Sequence, residues 1–284
     1  MRGATFAAEN PRGCVVLASG RSEFIEKYFE VISDLQARGF SAAMMDWRGQ
    51  GLSERLLPDP QKGHISDFGA FRADLVRFTQ SVVAERFDGP YFLMTHSMGG
   101  APALQLLGDG YDRFTGAVLA APMTRLFANA AKRRAVGAIA YAACRAGFER
   151  RSIPGVKEES LRFEGNVLTT DRERHERFRE LQATAPRALI REPTYGWLRA
   201  AHDAMADLHK PGRFKNLKTP VLILSAENDR LINSSDHAFF GEAHPLIEVV
   251  TIKDALHEIM MEKDAVRNRF GAAADAFFEK LLAG

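Results

Sequence analysis

Along the 284 residues, short apolar runs alternate with helix-length amphipathic segments. This is the pattern of a mostly parallel sheet covered by helices. The runs Cys14–Ala18, Ser41–Met45, Tyr91–Thr95, Ala117–Ala121, Val221–Ser225 and Ile247–Ile252 are rich in Val, Ile, Leu, Met or Ala. They lack the two-residue alternation of a sheet with one wet face, so they predict strands buried on both faces. Helices are predicted between them, at about 23–38, 66–86, 98–108, 234–241 and 264–282.

The rhythm breaks between about 125 and 212, where helical stretches and charges replace strand-like runs. The division this predicts is an α/β core of residues 1–124 and 213–284, with a helical cap inserted at 125–212. The inserted segment carries 17 Lys and Arg against 11 Asp and Glu, a net of +6, whereas the remainder carries 21 against 25, a net of −4. The asymmetry marks the insertion as a separate unit, either a solvated helical surface or one that attracts an anionic ligand.

Composition adds little. Apolar residues make up 46% of the chain and charged residues 26%, ordinary values for a globular enzyme. Cys14 and Cys144 lie far apart and form no disulfide framework, which favours a reducing compartment. The N-terminal stretch has no apolar core of the length a secretion signal needs, and no run reaches the ~18 apolar residues of a membrane span. A formal net charge of +2 gives no reason to expect nucleic acid as a partner. The expectation is a cytoplasmic protein; peripheral contact with the inner membrane face, through the cap, extends it.

The candidate chemistry starts at Thr95-His96-Ser97-Met98-Gly99-Gly100, where a predicted buried strand runs into a serine followed by glycines. In a nucleophile elbow, small residues two before and two after the serine let strand and helix approach closely. Gly99 meets that need; Thr95 stands where glycine is usual. His96, one residue before the serine, is expected to point the other way. A serine cap on the following helix explains the same string.

A serine hydroxyl is a weak nucleophile and needs a base held by an acid. Asp229, with Glu227 in reserve, follows the strand at 221–225, and His257 follows the last strand. These are the carboxyl ends of strands, in the chain order Ser, acid, His. Donors for an oxyanion are expected from the backbone N–H of Met98 and, in the turn that Gly20 permits, from the N–H of Arg21. Lys132-Arg133-Arg134 and the apolar stretch to Cys144 predict either an interfacial helix or a helix packed over the cleft.

With these residues in hand, the chain resembles the lysophospholipase L2 and monoacylglycerol lipase branch of the α/β-hydrolases. The likeness rests on Gly20–Tyr28, Asp46-Trp47-Arg48-Gly49-Gln50-Gly51-Leu52-Ser53, the elbow, Pro193-Thr194-Tyr195-Gly196-Trp197-Leu198 and the Asp229 and His257 loops. It implies the α/β-hydrolase fold, a serine esterase acting on monoacyl lipids, a Ser97–Asp229–His257 triad, a lid-like cap and no cofactor or metal. Ser19 replaces the histidine of the usual His-Gly pair, Thr95 replaces the first elbow glycine, and the N-terminal hairpin is shortened. The 46–53 string is read as a turn builder. Serine at 97 argues against epoxide hydrolase and dehalogenase chemistry, which need a carboxylate nucleophile. The alternatives are a serine aminopeptidase of the prolyl-aminopeptidase type, which would need acidic groups for a free amino terminus, and a non-catalytic lipid- or partner-binding scaffold.

Overall fold

The computed structural model describes residues 1–153 and 162–284; the part of the predicted cap at 154–161 lies outside the described residues. The chain runs through β1 (Gly3–Phe6), β2 (Cys14–Ala18), α1 (Phe29–Ala37), β3 (Ser41–Met45), β4 (Lys62–Gly63), α2 (Gly69–Phe78) and α3 (Ala84–Arg86). It continues with β5 (Tyr91–His96), α4 (Gly100–Gly108), β6 (Gly116–Ala120), α5 (Ala130–Arg145), α6 (Arg172–Thr184), β7 (Glu192–Pro193) and α7 (Tyr195–Leu208). The last elements are β8 (Val221–Ala226), α8 (His237–Ala243), β9 (Ile247–Ile252) and α9 (Asp264–Leu282).

Seven strands form one sheet in the order β1-β3-β2-β5-β6-β8-β9, all parallel except β1. The central strands are apolar throughout because helices cover both faces: every residue of β2, β3, β6 and β8 is buried. The six predicted runs are all strands, although the fourth starts and ends one residue earlier than predicted. β1 escapes an apolar-run search because Gly-Ala-Thr-Phe is a short, half-buried edge strand. It pairs antiparallel with β3 rather than forming a hairpin with β2.

Among the described residues, three α-helices, α5 to α7, lie between β6 and β8. The segment is not wholly free of strand, since Glu192–Pro193 pairs with Lys62–Gly63 in a separate two-stranded ladder. Nor is it wholly peripheral. Trp197, Ala200, Ala201, Ala204 and Leu208 of α7 enter the same apolar core as the sheet. Cys14 and Cys144 are free thiols, and burial pushes the Cys14 thiol up to about 12.

Candidate active site

β5 ends at His96, and Ser97 takes a left-handed backbone with φ of 49°. Such a conformation costs a non-glycine residue on the order of 1–3 kcal/mol and is held only by its surroundings. A Cβ on Gly99 would lie 2.6 Å from the Ala18 carbonyl oxygen and 2.7 Å from that of Ser19, so only glycine fits. Thr95 is buried with its hydroxyl unpartnered among the described residues, a tolerated departure near the end of β5.

The three predicted triad residues meet at the carboxyl ends of β5, β8 and β9. Ser97 Oγ donates to His257 Nε2 at 2.8 Å, and His257 Nδ1–H donates to Asp229 Oδ2 at 2.7 Å. The tautomer follows from Asp229, which as a carboxylate can only accept. Its other oxygen accepts the Leu231 and Ile232 N–H groups at 2.8 and 3.1 Å. Burial alone would raise the Asp229 pKa, but the hydrogen bond and charge of His257 and these backbone donors hold it below its ordinary value. Glu227 is not part of this chain; it is exposed and accepts the Asp254 N–H at 2.9 Å.

The turn after β2 is braced from the 46–53 string. Trp47 Nε1–H donates to the Ser19 carbonyl at 2.8 Å, and the Ser22 N–H donates to Gln50 Oε1 at 2.8 Å. The string thus builds a turn, as expected, and that turn supports the Gly20–Arg21 peptide. Arg21 and Met98 both line the cavity at Ser97. The Arg21 guanidinium lies over the Trp197 ring and donates to the Arg191 carbonyl at 2.9 Å; burial lowers its pKa to about 10, so it stays charged at neutral pH.

His96 does not turn away from the site as expected. The left-handed Ser97 ends the strand alternation, and the His96 ring lines the same cavity, 5.0 Å from the His257 ring centroid. It belongs to a buried group that sequence patterning does not single out. Glu23 accepts from Gly20 N–H at 2.5 Å, Tyr28 OH at 2.6 Å and Lys27 Nζ at 2.7 Å, with His96 Nδ1 at 3.0 Å. Lys27 Nζ also donates to Glu258 Oε1 at 2.6 Å, and His96 Nε2 lies 3.2 Å from the His257 carbonyl oxygen. The contacts of Glu23 with Gly20, Lys27 and Tyr28 are local, whereas those that bring in His96, His257 and Glu258 link residues far apart in the chain.

Above Ser97 lies a cavity of about 430 Å³. Its apolar walls include Met123, Leu126, Leu168, Phe178, Ile190 and Leu231, with Arg179 and Arg191 among its polar residues. The roof comes from α6 and the 189–192 segment. α5 does not line the cavity, contrary to the expectation of a helix over the cleft; it packs on α7, with Gly137 against His202. A large apolar cavity above a Ser–His–Asp chain suits an acyl group next to a reacting carbonyl.

The sequence profile described as "Serine aminopeptidase, S33" matches residues 9–264. The chain belongs to this family of α/β-hydrolases. It is 33% identical to lysophospholipase L2 of Escherichia coli K12 over 97% of this chain and 83% of the relative. It is 27% identical to a probable lysophospholipase L2 of Haemophilus influenzae over 90% and 80%. Among solved structures, a soluble variant of the Saccharomyces cerevisiae monoglyceride lipase in complex with a substrate analogue superposes with a TM-score of 0.78 at 20% identity, over 98% of this chain and 92% of that one. The likeness of fold and the curated relatives identify a carboxylic ester hydrolase of the α/β-hydrolase type that acts on lipid esters. Among the described residues no helix is long and apolar enough to cross a membrane.

Proposed function

We propose that Ser97, His257 and Asp229 form the catalytic triad of an esterase acting on monoacyl lipids, lysophospholipids or monoacylglycerols. The observation that carries this is the continuous Ser97–His257–Asp229 hydrogen-bond chain at the floor of an apolar cavity. His257 takes the proton from Ser97 as the hydroxyl attacks the ester carbonyl, and Asp229 orients the imidazole and stabilises its cation. The N–H groups of Met98 and Arg21 stabilise the tetrahedral oxyanion. His257 then protonates the departing alcohol, and water releases the fatty acid from the acyl-enzyme. Residues 125–212 act as the cap, with α6 as the roof that encloses the acyl chain.

The family's description and its matched profile keep an aminopeptidase reading in view. Against it, the two buried acids beside the site, Glu23 and Glu258, are already engaged by Lys27 and His96. Neither is left to hold a substrate ammonium. A membrane contact is part of the same proposal: α5 exposes Ile139 (58%) and Tyr141 (55%) beside Lys132, Arg134 and Arg145, a composition suited to an anionic lipid interface.

Ser97→Ala is expected to lower turnover of an aryl ester by at least about 10⁴-fold with an unchanged circular dichroism spectrum. Retained turnover would sink the triad. On a panel of lysophospholipids, monoacylglycerols, short acyl esters and proline amides, long monoacyl esters should be cleaved fastest; preference for the amides would favour the peptidase.

A further inference from the structure

Both ring nitrogens of His96 face acceptors. Nδ1 lies 3.0 and 3.2 Å from the two oxygens of Glu23, and Nε2 lies 3.2 Å from the carbonyl oxygen of His257. A backbone carbonyl never donates, and Glu23 is ionised, since it accepts from Lys27, Tyr28 and the Gly20 N–H. A neutral imidazole carries one N–H, so either tautomer would leave a bare nitrogen lone pair against an acceptor in a buried site. Only the doubly protonated ring satisfies both contacts. The charges agree: Glu23 and Glu258 are matched by Lys27 and an imidazolium at 96, a neutral buried quartet.

We propose that His96 is an imidazolium at neutral pH and a positioning residue, which clamps the backbone of His257 and ties it, through Glu23, to the Gly20 turn. The inference rests on the triad reading above and adds a part to it. Three segments of the site converge on this ring: the turn after β2, the elbow that His96 immediately precedes, and the loop bearing His257 and Glu258. The clamp acts on the His257 main chain, leaving the imidazole free to exchange a proton with Ser97. Gly20 is confined by the same contact, because a Cβ there would lie 2.8 Å from Glu23 Oε2 and 3.0 Å from His96 Nδ1.

The electrostatic surroundings agree with the geometry. Burial disfavours the charged ring, but the charge of Glu23 and its hydrogen bond, helped by Glu258 and opposed by Lys27, raise the His96 pKa above its ordinary value. Burial likewise raises the Glu23 pKa, and His96 and Lys27 together bring it well below the usual carboxylate range. Burial and the neighbouring Glu23 raise the Tyr28 phenol well above its usual pKa, so it remains a donor. The roof contributes Phe178, whose ring lies 4.5 Å from Lys27 Nζ, and Arg179, whose guanidinium feels the charge of Glu258. The two acceptor contacts close the clamp around a charged ring, which by the sign of the shift persists to higher pH than an ordinary imidazolium and is lost as pH rises through the His96 pKa.

Long-range ¹H–¹⁵N correlation spectra of the wild-type protein at pH 7.5 test the protonation state directly, with His96→Gln identifying the signals. Two protonated-type nitrogens at His96 are expected; one bare nitrogen would overturn the proposal, and this readout needs no turnover. Glu23→Gln, checked for folding by circular dichroism, should leave His96 with one bare nitrogen at pH 7.5. It should also lower kcat for a soluble aryl ester on the order of 10²-fold with KM nearly unchanged, the cost of a misplaced base. An unchanged kcat in that variant would show that the clamp positions nothing. Failure of the triad itself would appear separately, as undiminished turnover by Ser97→Ala.

Discussion

Helices α9 and α5 have similar lengths, 19 and 16 residues, but are held in different ways. α9 buries Val266, Phe270, Gly271, Ala274, Phe277 and Phe278 against the sheet, and no side chain caps its start. α5 buries only Gly137 and Ala140, yet begins with Asn129, whose side chain accepts the Lys132 N–H. The contrast extends to their neighbours. α6 and α7 are capped by Asp171 and Thr194, whereas α1, α2, α4 and α8 have no side-chain cap bond. Helices that bury a broad apolar face obtain their stability from the core. Those at the edge of the insertion rely on capped ends and, for α6, on charge pairs, each worth a smaller amount. α7 is the intermediate case, capped and also rooted in the core.

The comparison can be broken first at the sheet. Leu93 in β5 is fully buried, and Leu93→Ala is expected to cost about 2–5 kcal/mol in urea unfolding. A cost near that of a surface change would mean that the sheet is not the main source of stability. A smaller effect is expected at Glu30, which binds Arg174 and Arg177 of α6 and Arg267 of α9. Its hydrogen bond to Arg174, against opposing burial and with the added charge of Arg267 and Arg177, lowers the carboxyl pKa to about 2. A depressed carboxyl pKa stabilises the fold above its ordinary value and loses that contribution as pH falls towards the folded value. Glu30→Gln should therefore lower stability by about 1 kcal/mol at neutral pH, with the gap from wild type closing as pH falls below 4.5. A gap that grows with acid would contradict the sign. The smallest effect belongs to α5: Ile139→Ser with Tyr141→Ser should change stability by no more than about 0.5 kcal/mol and leave aryl-ester hydrolysis unaltered. The same pair should weaken sedimentation with anionic phospholipid vesicles; unchanged sedimentation would remove α5 as the membrane contact.

The parallel strands were legible because burial on both faces demands unbroken apolar runs, and these stand out from their surroundings. β1 and the β4–β7 pair were not, since an edge strand and two-residue strands bury too little to leave a pattern. Ser97, Asp229 and His257 were legible because chain order and strand ends constrain them together. The Glu23–Lys27–His96–Glu258 group was not, because its members are polar residues whose partners are fixed by tertiary packing across as many as 231 residues. The expected orientation of His96 fails for a local reason: strand alternation ends at Ser97, whose backbone is left-handed. The expected place of α5 failed because helical length and basic flanks do not say which surface a helix covers.

At Gly99 the start of the helix meets the end of β2 without a side chain between them; the neighbours are the carbonyl oxygens of Ala18 and Ser19. They meet in van der Waals contact through main-chain atoms, which stiff bond lengths and peptide planes hold, and not through side-chain rotamers, which yield. The spacing between the Gly20 turn and Ser97 therefore inherits the tolerance of the main chain itself. Substitutions can remodel the cavity walls and shift the range of acyl chains that fit, while the serine stays at its gauge distance from the turn.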